Sequence, residues 1–396
     1  MRKVVNLVQN SSDMSAHVRI AQILGKMEGG GVEQVVMNYY RHIDHSKVQF
    51  DFFIFDGSGR VPEEEIESLG GRVYRLCGLK NTSRYIKTLA SLLKGNNYKI
   101  AHCHLGTLAG PALKAVKKAG VPIRIIHNHS TSGGKRELVR NLAKAVLKPF
   151  CAKNATHRIA CSEYAARWMF GKVPVYSIAD ENAPENSVRI LRNAVDSSFF
   201  SRDEAKRRSL REELGIPENS LVFGHIGRFC PQKNQSFLVD IFIEILNLHS
   251  DSYLLMAGTG GDMELIRGKI NEEKLSDRAL LLGQRSDTDR LYNAFDCFVL
   301  PSNYEGLCVV GVEAQAVGVS CVFSDKITPE VKLCDGVRFV SLKEPPAEWA
   351  RVALDAAKTN AKPADLEAKG YEISVEARRF ADFYLEAIRG ISLRKE

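Results

Sequence analysis

Along this chain, short runs of apolar residues alternate with longer stretches in which apolar positions recur every three or four residues. The runs Val18–Leu24, Gln49–Phe55, Val73–Leu76, Ile100–His104, Ile123–Asn128 and Arg158–Cys161 read as buried strands. Between them, Val32–Arg41, Arg84–Lys94 and Leu108–Ala119 carry helical periodicity. After a further run, Val188–Leu191, a polar and charge-rich segment, Asp196–Glu218, suggests a boundary. The pattern then restarts. Strands are expected at Leu221–Ile226, Ser252–Ala257, Ala279–Leu282, Cys297–Leu300 and Val319–Phe323, with helices at Gln235–Leu248, Met263–Glu273 and Asp287–Ala294. A final helix is expected at Val375–Ile388, with Ser374 as its N-cap, packing back across the first half.

Strands alternating with helices predict an α/β chain with parallel sheets covered on both faces. The expected organisation is two Rossmann-like, doubly wound domains facing each other across a cleft. Residues 1–17 form an N-terminal extension, 18–198 the first domain, 199–370 the second, and 371–396 the C-terminal helix. A length of 396 residues suits two such domains. Ligands in open α/β sheets bind beyond the carboxyl ends of the strands, so the cleft is the expected site.

Composition narrows the class. Apolar content of 44% and charged content of 26% are those of a globular chain. No run reaches the length of a membrane-spanning helix, and the opening residues lack the apolar core of a signal peptide. The nine cysteines show no metal-ligand spacing, and Cys103, Cys297, Cys308 and Cys321 lie in apolar runs. That usage suits reduced thiols in a cytoplasmic protein. The net charge of +8 is uneven: residues 1–200 hold 29 Lys and Arg against 16 Asp and Glu. Between Glu67 and Glu137 there is no acid and there are 13 bases. This stretch reads either as solvated helix faces or as a surface for an anionic membrane or a phosphate-bearing acceptor. Nucleic acid is disfavoured, because the aromatics are not interleaved with the bases as stacking platforms.

Candidate chemistry concentrates after predicted strands. Pro301 ends one strand, and Ser302-Asn303-Tyr304-Glu305-Gly306-Leu307 leads on to Glu313. A carboxylate accepts two hydroxyl hydrogen bonds, so Glu305 and Glu313 suit a sugar or a ribose diol, although the spacing alone more often marks ordinary surface glutamates. Gly306 lets the backbone turn closely, and the N–H groups that follow open a helix whose positive end favours phosphate. Leu221–Ile226 runs into Gly227-Arg228, with Lys233 five residues later, and two such cations on a glycine-led loop can clamp a diphosphate.

With these motifs the chain resembles the glycosyltransferases of family 4, the large group 1 class of retaining enzymes. That family carries Glu-x7-Glu preceded by Ser-x-x, and this chain reads S-N-Y-E-G-L-C-V-V-G-V-E-A from Ser302. It also carries a G-R-x-x-x-x-K element, matched from Gly227 to Lys233. The resemblance spans Val18 to Ile388 and is tighter in the second half. It implies the GT-B fold and transfer of a sugar, a hexose or N-acetylhexosamine, from a nucleotide-sugar, with UDP the expected nucleotide. It implies that Glu305 contacts donor-sugar hydroxyls, Glu313 the ribose, and Arg228 and Lys233 the leaving diphosphate. Further donor contacts are expected at Gly30 and Gly31, at Gly258, at Gln284 and Arg285, and at Gly306 and Leu307. Asn193-Ala194-Val195-Asp196 resembles the family's N-G-V-D and is given a linker role.

The histidines His102, His104, His127 and His129 sit in two pairs at neighbouring strand ends, each pair on one face. By resemblance His129 reaches the donor sugar near the reacting carbon, and His104 is placed on the acceptor side. The four are not read as a metal site, since no carboxylate or cysteine completes the set. Asp287-Thr288-Asp289 has the D-x-D form of a metal motif, but it is read as helix capping, so no metal or other cofactor is expected. The acceptor is expected to be a lipid-linked or oligosaccharide hydroxyl in surface-polysaccharide assembly, met at the inner face of the cell membrane. An epimerase of the same fold and a non-catalytic nucleotide-sugar-binding protein are the rival readings. A NAD-dependent oxidoreductase is disfavoured by the absence of a full G-x-G-x-x-G after the first strand.

Overall fold

The computed structural model describes residues 17–129, 138–359 and 361–393. Eight strands form the first sheet: β1 (Val18–Ile23), β2 (Val48–Phe55), β3 (Arg72–Leu76), β4 (Ile100–Cys103), β5 (Ile123–Asn128), β6 (His157–Ala160), β7 (Val175–Ser177) and β8 (Val188–Ile190). Six form the second: β9 (Leu221–Ile226), β10 (Ser252–Ala257), β11 (Ala279–Gly283), β12 (Cys297–Leu300), β13 (Ser320–Ser324) and β14 (Val337–Val340). The spatial orders are β3-β2-β1-β4-β5-β6-β8-β7 and β11-β10-β9-β12-β13-β14. Every pairing between named strands is parallel.

Both orders turn at their first strand, between β1 and β4 in one sheet and between β9 and β12 in the other. At such a point the two crossovers leave in opposite directions and open a crevice at the carboxyl ends. The loops that follow β1, β4, β9 and β12 carry Gly30, His104, Arg228 and Glu305 respectively. The central strands are covered on both faces. Residues Ile20, Ile100 and Ile125 pack on one side of the first sheet and Ile23, Cys103 and Ile126 on the other.

The charge-rich segment after Asp196 is more ordered than its polarity suggests. It forms a helix, Glu204–Glu213, capped by the Asp203 carboxylate and packed against the helix Thr288–Ala294. Its Arg211 is 2% exposed because the guanidinium bonds the Ala294 carbonyl and the Asp296 carboxylate.

The C-terminal helix runs over Ile373–Leu393, longer than its apolar pattern indicates, and Ser374 is not its N-cap. The chain enters by pairing Val195 with Glu372, which already sets Ile373 in the helix. The Glu372 carboxylate accepts the Ser374 N–H and hydroxyl instead. This helix packs on the helix Gly31–His42, placing Phe380 and Tyr384 against Tyr39 and Phe50.

Candidate active site

The two sheets meet through their loops. Gly30, at the N-terminus of helix Gly31–His42, lies so near Arg228 that a Cβ there would stand 2.7 Å from a guanidinium nitrogen. Arg60 Nη1 donates to Gln284 Oε1 at 3.1 Å across the same gap. Behind the cleft, the Glu330 carboxylate accepts the backbone N–H groups of Glu163 and Tyr164 at 2.9 Å each, at the start of helix Glu163–Phe170. A carboxylate there satisfies donors that the helix itself cannot.

In the second half, Lys233 and Glu305 are brought together from loops that lie 72 residues apart in sequence. Lys233 Nζ lies 2.8 Å from Glu305 Oε1, which also accepts from Ser302 Oγ at 3.0 Å. Gln232 donates to the other oxygen at 3.2 Å and to the Tyr304 carbonyl at 3.0 Å. Burial disfavours the Lys233 ammonium, but the charge and hydrogen bond of Glu305 outweigh it and raise the pKa above the usual lysine value.

Eight residues on, inside the helix Val309–Val317, Glu313 accepts from Tyr292 Oη at 2.7 Å. Burial pushes its carboxyl up to about 7, against the smaller opposing effects of that hydrogen bond and of Lys233. Gly306 and Leu307 are buried between the two glutamates, and the Leu307 carbonyl accepts from Asn193 Nδ2 at 3.1 Å. Asn193 therefore does more than link, since it braces this loop from the preceding half.

Close backbone packing explains the glycines of the neighbouring loop. Gly258 has φ +133°, and a Cβ on it would meet the Gly227 carbonyl oxygen at 2.1 Å. Gly31 has open space around its Cβ position and sits in the first turn of its helix. The Arg285 side chain is held by Asp287 at 2.6 Å and by Glu213 at 3.3 Å. Asp287 does not cap the helix with its side chain, because it is committed to Arg285 and Arg290. Asp289 pairs with Lys206 at 2.8 Å. These ion pairs, rather than capping, account for the D-x-D sequence.

In the first half, parallel pairing of β4 and β5 gathers the four histidine rings into one cluster. Centroids of His102 and His104 are 4.3 Å apart, and those of His127 and His129 are 3.8 Å apart. His104 and His129, assigned to opposite substrates from sequence, are hydrogen-bonded at 2.8 Å.

A chain of bonds fixes the protons. The Gln22 amide nitrogen donates to the Tyr384 hydroxyl at 3.1 Å, and that hydroxyl lies 2.7 Å from His102 Nδ1. The hydroxyl and His102 Nδ1 share one hydrogen bond whose direction follows the His102 tautomer, and His102 Nε2 is buried without a hydrogen-bond partner among the described residues. Gln22 Oε1 lies 2.8 Å from His104 Nε2, which must be its donor. Burial first, and neighbouring histidines second, hold the His104 pKa well below 6.5, so the ring is neutral with a bare Nδ1. That nitrogen accepts the Nε2 proton of His129. Burial holds the His129 pKa to about 3. The network thus assigns a lone pair to His129 Nδ1, which is buried and has no hydrogen-bond partner among the described residues.

His102, His104 and His127 each bring one nitrogen within 4.8 Å of the others, a set that can approach a metal ion. Both nitrogens of His104 and Nδ1 of His102 are already engaged in the hydrogen bonds above, which favours the relay over ligation. Beside the relay opens a cavity of ≈ 380 Å³ whose wall includes Lys26, Glu33, His104, His129, Lys144 and Leu147.

Two facing parallel sheets, with paired cations and carboxylates at one switch point and a histidine-lined cavity at the other, define the GT-B class. Residues 206–373 match the model of glycosyl transferases group 1, and residues 29–198 match that of glycosyltransferase family 4. The chain is 34% identical over 348 residues to a Bacillus subtilis (strain 168) protein designated glycosyltransferase EpsF, covering 87% of this chain and 88% of that one. It is 29% identical over 321 residues to the UDP-Gal:alpha-D-GlcNAc-diphosphoundecaprenol alpha-1,3-galactosyltransferase of Escherichia coli, covering 78% and 79%. Among solved structures, Anabaena Alr3699/HepE in complex with UDP and glucose shares the fold with a TM-score of 0.71. The two are 16% identical, and the match covers 95% of this chain and 100% of that one. The chain belongs to the group 1 glycosyltransferases of family 4.

The acidic and basic residues of the second half were legible from sequence. The relay residues Gln22 and Tyr384 were not, because 362 residues separate them and neither lies in a motif.

Proposed function

We propose that this protein is a retaining glycosyltransferase. In this reading it moves a hexose or N-acetylhexosamine from a UDP-sugar to a hydroxyl of a lipid-linked or oligosaccharide acceptor in surface-polysaccharide assembly. The observation that carries it is the Lys233–Glu305 pair, at 2.8 Å, at the switch point of the second sheet, on the loop that also carries Arg228. The likeness to a galactosyltransferase whose named acceptor is a diphosphoundecaprenol supports the lipid-linked reading. The fold shared with a UDP-bound structure supports the nucleotide.

In this mechanism the diphosphate binds between Arg228, Lys233 and the N-terminus of helix Val309–Val317. Those groups stabilise the charge that develops as the anomeric carbon–oxygen bond breaks. The ribose diol is held by Glu313. Glu305 turns from Lys233 towards the sugar hydroxyls as phosphate takes over the cation. His129 accepts a hydrogen bond from the sugar through its bare Nδ1. The acceptor hydroxyl attacks the face that the diphosphate leaves, and its proton passes to a diphosphate oxygen, so configuration is retained. Glu33 is engaged by its own helix start, accepting from the Gly30 and Glu28 N–H groups, and is not positioned as a nucleophile. The second domain, residues 199–370, holds the donor, and the first, residues 18–198, holds the acceptor at the inner membrane face.

The test is a panel of UDP- and GDP-sugars, followed by nucleoside diphosphate release and by NMR of the product's anomeric configuration. Release with one donor, lost in Glu305→Ala and Lys233→Ala, with the anomer conserved in the product, is expected. An inverted anomer overturns retention, and no release from any donor by the folded protein overturns the donor assignment.

A further inference from the structure

The helix Leu138–Cys151 is built the wrong way round for a surface helix. Leu142, Val146 and Phe150, spaced by four and so in one stripe, are 68%, 60% and 64% exposed. Leu147 beside them and Leu108 in the adjoining turn are 39% and 49% exposed. These five make up half of the ten exposed large hydrophobic side chains among the described residues. Two of its lysines turn towards the protein instead. Lys144 and Lys148 are partly covered and lie over the Trp168 ring, at 5.9 and 5.0 Å from its centroid. A contiguous apolar stripe on the outside of a helix marks a binding surface.

The charge around the stripe says what binds it. Between Glu67 and Glu163 the sequence has a single acid, Glu137, against 18 Lys and Arg. The helix packs against Ala109–Lys118, whose Lys114, Lys117 and Lys118 are exposed. A second copy of this chain would set lysine against lysine. An anionic bilayer meets both features, taking the apolar stripe into its interface and the lysines onto its headgroups. The stripe also adjoins the site. Leu108, Lys144 and Leu147 line the same cavity as His104 and His129.

We propose that Leu138–Cys151 is a membrane-docking helix that lays Leu142, Val146 and Phe150 into an anionic bilayer. The cavity beside it then opens at the membrane surface, where the phosphate-bearing head of a lipid-linked acceptor enters while its chain stays in the bilayer. This last step rests on the acceptor reading above; the docking itself does not.

Co-sedimentation with vesicles of phosphatidylcholine alone, and of phosphatidylcholine with phosphatidylglycerol, tests it. The wild-type protein is expected on the mixed vesicles. A Leu142→Ser, Val146→Ser, Phe150→Ser variant should lose at least about 100-fold in partitioning, as three exposed apolar side chains no longer enter the interface. Lys114→Gln, Lys117→Gln and Lys118→Gln together should remove the preference for the anionic lipid. Both variants should keep wild-type melting temperature and wild-type nucleoside diphosphate release from the donor. Wild-type protein that ignores both vesicles, or a serine variant that binds as well as wild type, overturns the proposal. So does a wild-type dimer that the serine variant dissolves while neither form binds lipid. Vesicle binding without turnover of any donor leaves docking standing and removes the donor reading. Transfer to a soluble acceptor without vesicle binding does the reverse.

Discussion

Lys233 Nζ sits 2.8 Å from Glu305 Oε1, so each of these two residues is the other's ion-pair partner. Both side chains are largely covered, at 14% and 9% exposure, and one cannot be removed without consequence for the other. Lys233→Met should cost about 3 kcal/mol of stability and Glu305→Gln somewhat less. The double variant should recover most of that loss, because no charge is then left without its counterion. Donor turnover should fall at least about 100-fold in all three if, as proposed, Lys233 meets the diphosphate and Glu305 the sugar. Denaturant unfolding and diphosphate release on the four proteins measure this. Strict additivity of the stability losses would show that the pair is not coupled.

Glu313 gives a pH prediction. Its carboxyl is raised by burial from 4.5 to about 7. A raised acid ionises later in the folded chain than in the unfolded one. Its contribution is therefore fully present below pH 4.5 and is lost as pH rises through 7. Above pH 7 this amounts to about 3 kcal/mol against folding. Glu313→Gln should accordingly be more stable than wild type at pH 8, with the advantage fading by pH 4.5. In the proposed reading Glu313 holds the ribose diol as a carboxylate, so wild-type affinity for the nucleotide should weaken as pH falls below about 7. A calorimetric titration at pH 6 and pH 8 checks the second statement.

Two glycines should fail in different ways. An alanine at Gly258 meets the Gly227 backbone oxygen at 2.1 Å from a left-handed φ of +133°. Backbone cannot give way as a side chain does, so Gly258→Ala should cost more than about 3 kcal/mol. An alanine at Gly30 meets side-chain ends instead, the Arg228 guanidinium at 2.7 Å and the Glu33 carboxylate at 3.3 Å. Arg228 can swing aside, so Gly30→Ala should melt within about 2 °C of wild type yet lose about tenfold in kcat/KM for the donor.

Tyr384 reaches the site only through Gln22 and His102. Tyr384→Phe removes the hydroxyl that fixes the direction of the bonds running to His129. Turnover should fall about tenfold with the donor KM unchanged, because no substrate contact is lost. A change in KM alone would argue against the relay. The histidines also make the fold sensitive to acid. Burial lowers His102, His104 and His127 well below 6.5, and His129 to about 3. Their contribution is present above pH 6.5 and is lost as pH falls, because the unfolded chain takes up the protons first. His129→Gln should flatten the fall of stability between pH 6.5 and pH 4 by about one proton.

Most of the strands and about half of the helices are legible in the sequence because buried parallel strands are continuous apolar runs and surface helices have a 3.6-residue period, whereas the short strands Val175–Ser177 and Val337–Val340 and helices such as Leu138–Cys151 and Pro346–Ala357 were not expected. The run Leu221–Ile226 and the helix Gln235–Leu248 appear in the structure with the bounds their patterns predict. The residues Glu305, Glu313, Arg228 and Lys233 stood out because they lie in short motifs next to such runs. Helix starts were less legible: Ser374 lost the N-cap to Glu372, whose backbone is held by Val195. Asp287 was drawn from capping to two arginines that pattern does not place beside it.

The amino-acid sequence alone therefore determined the α/β class and the doubling of the sheet, and singled out the short motifs at the cleft, since each depends on residues near one another in the chain. The tertiary structure decided what depends on distant ones. It paired Lys233 with Glu305 and ran the hydrogen bonds from Tyr384 to His129. It also turned the apolar stripe of Leu142, Val146 and Phe150 outward. Periodicity states that a helix has an apolar face, but only packing states which side of it the rest of the protein covers.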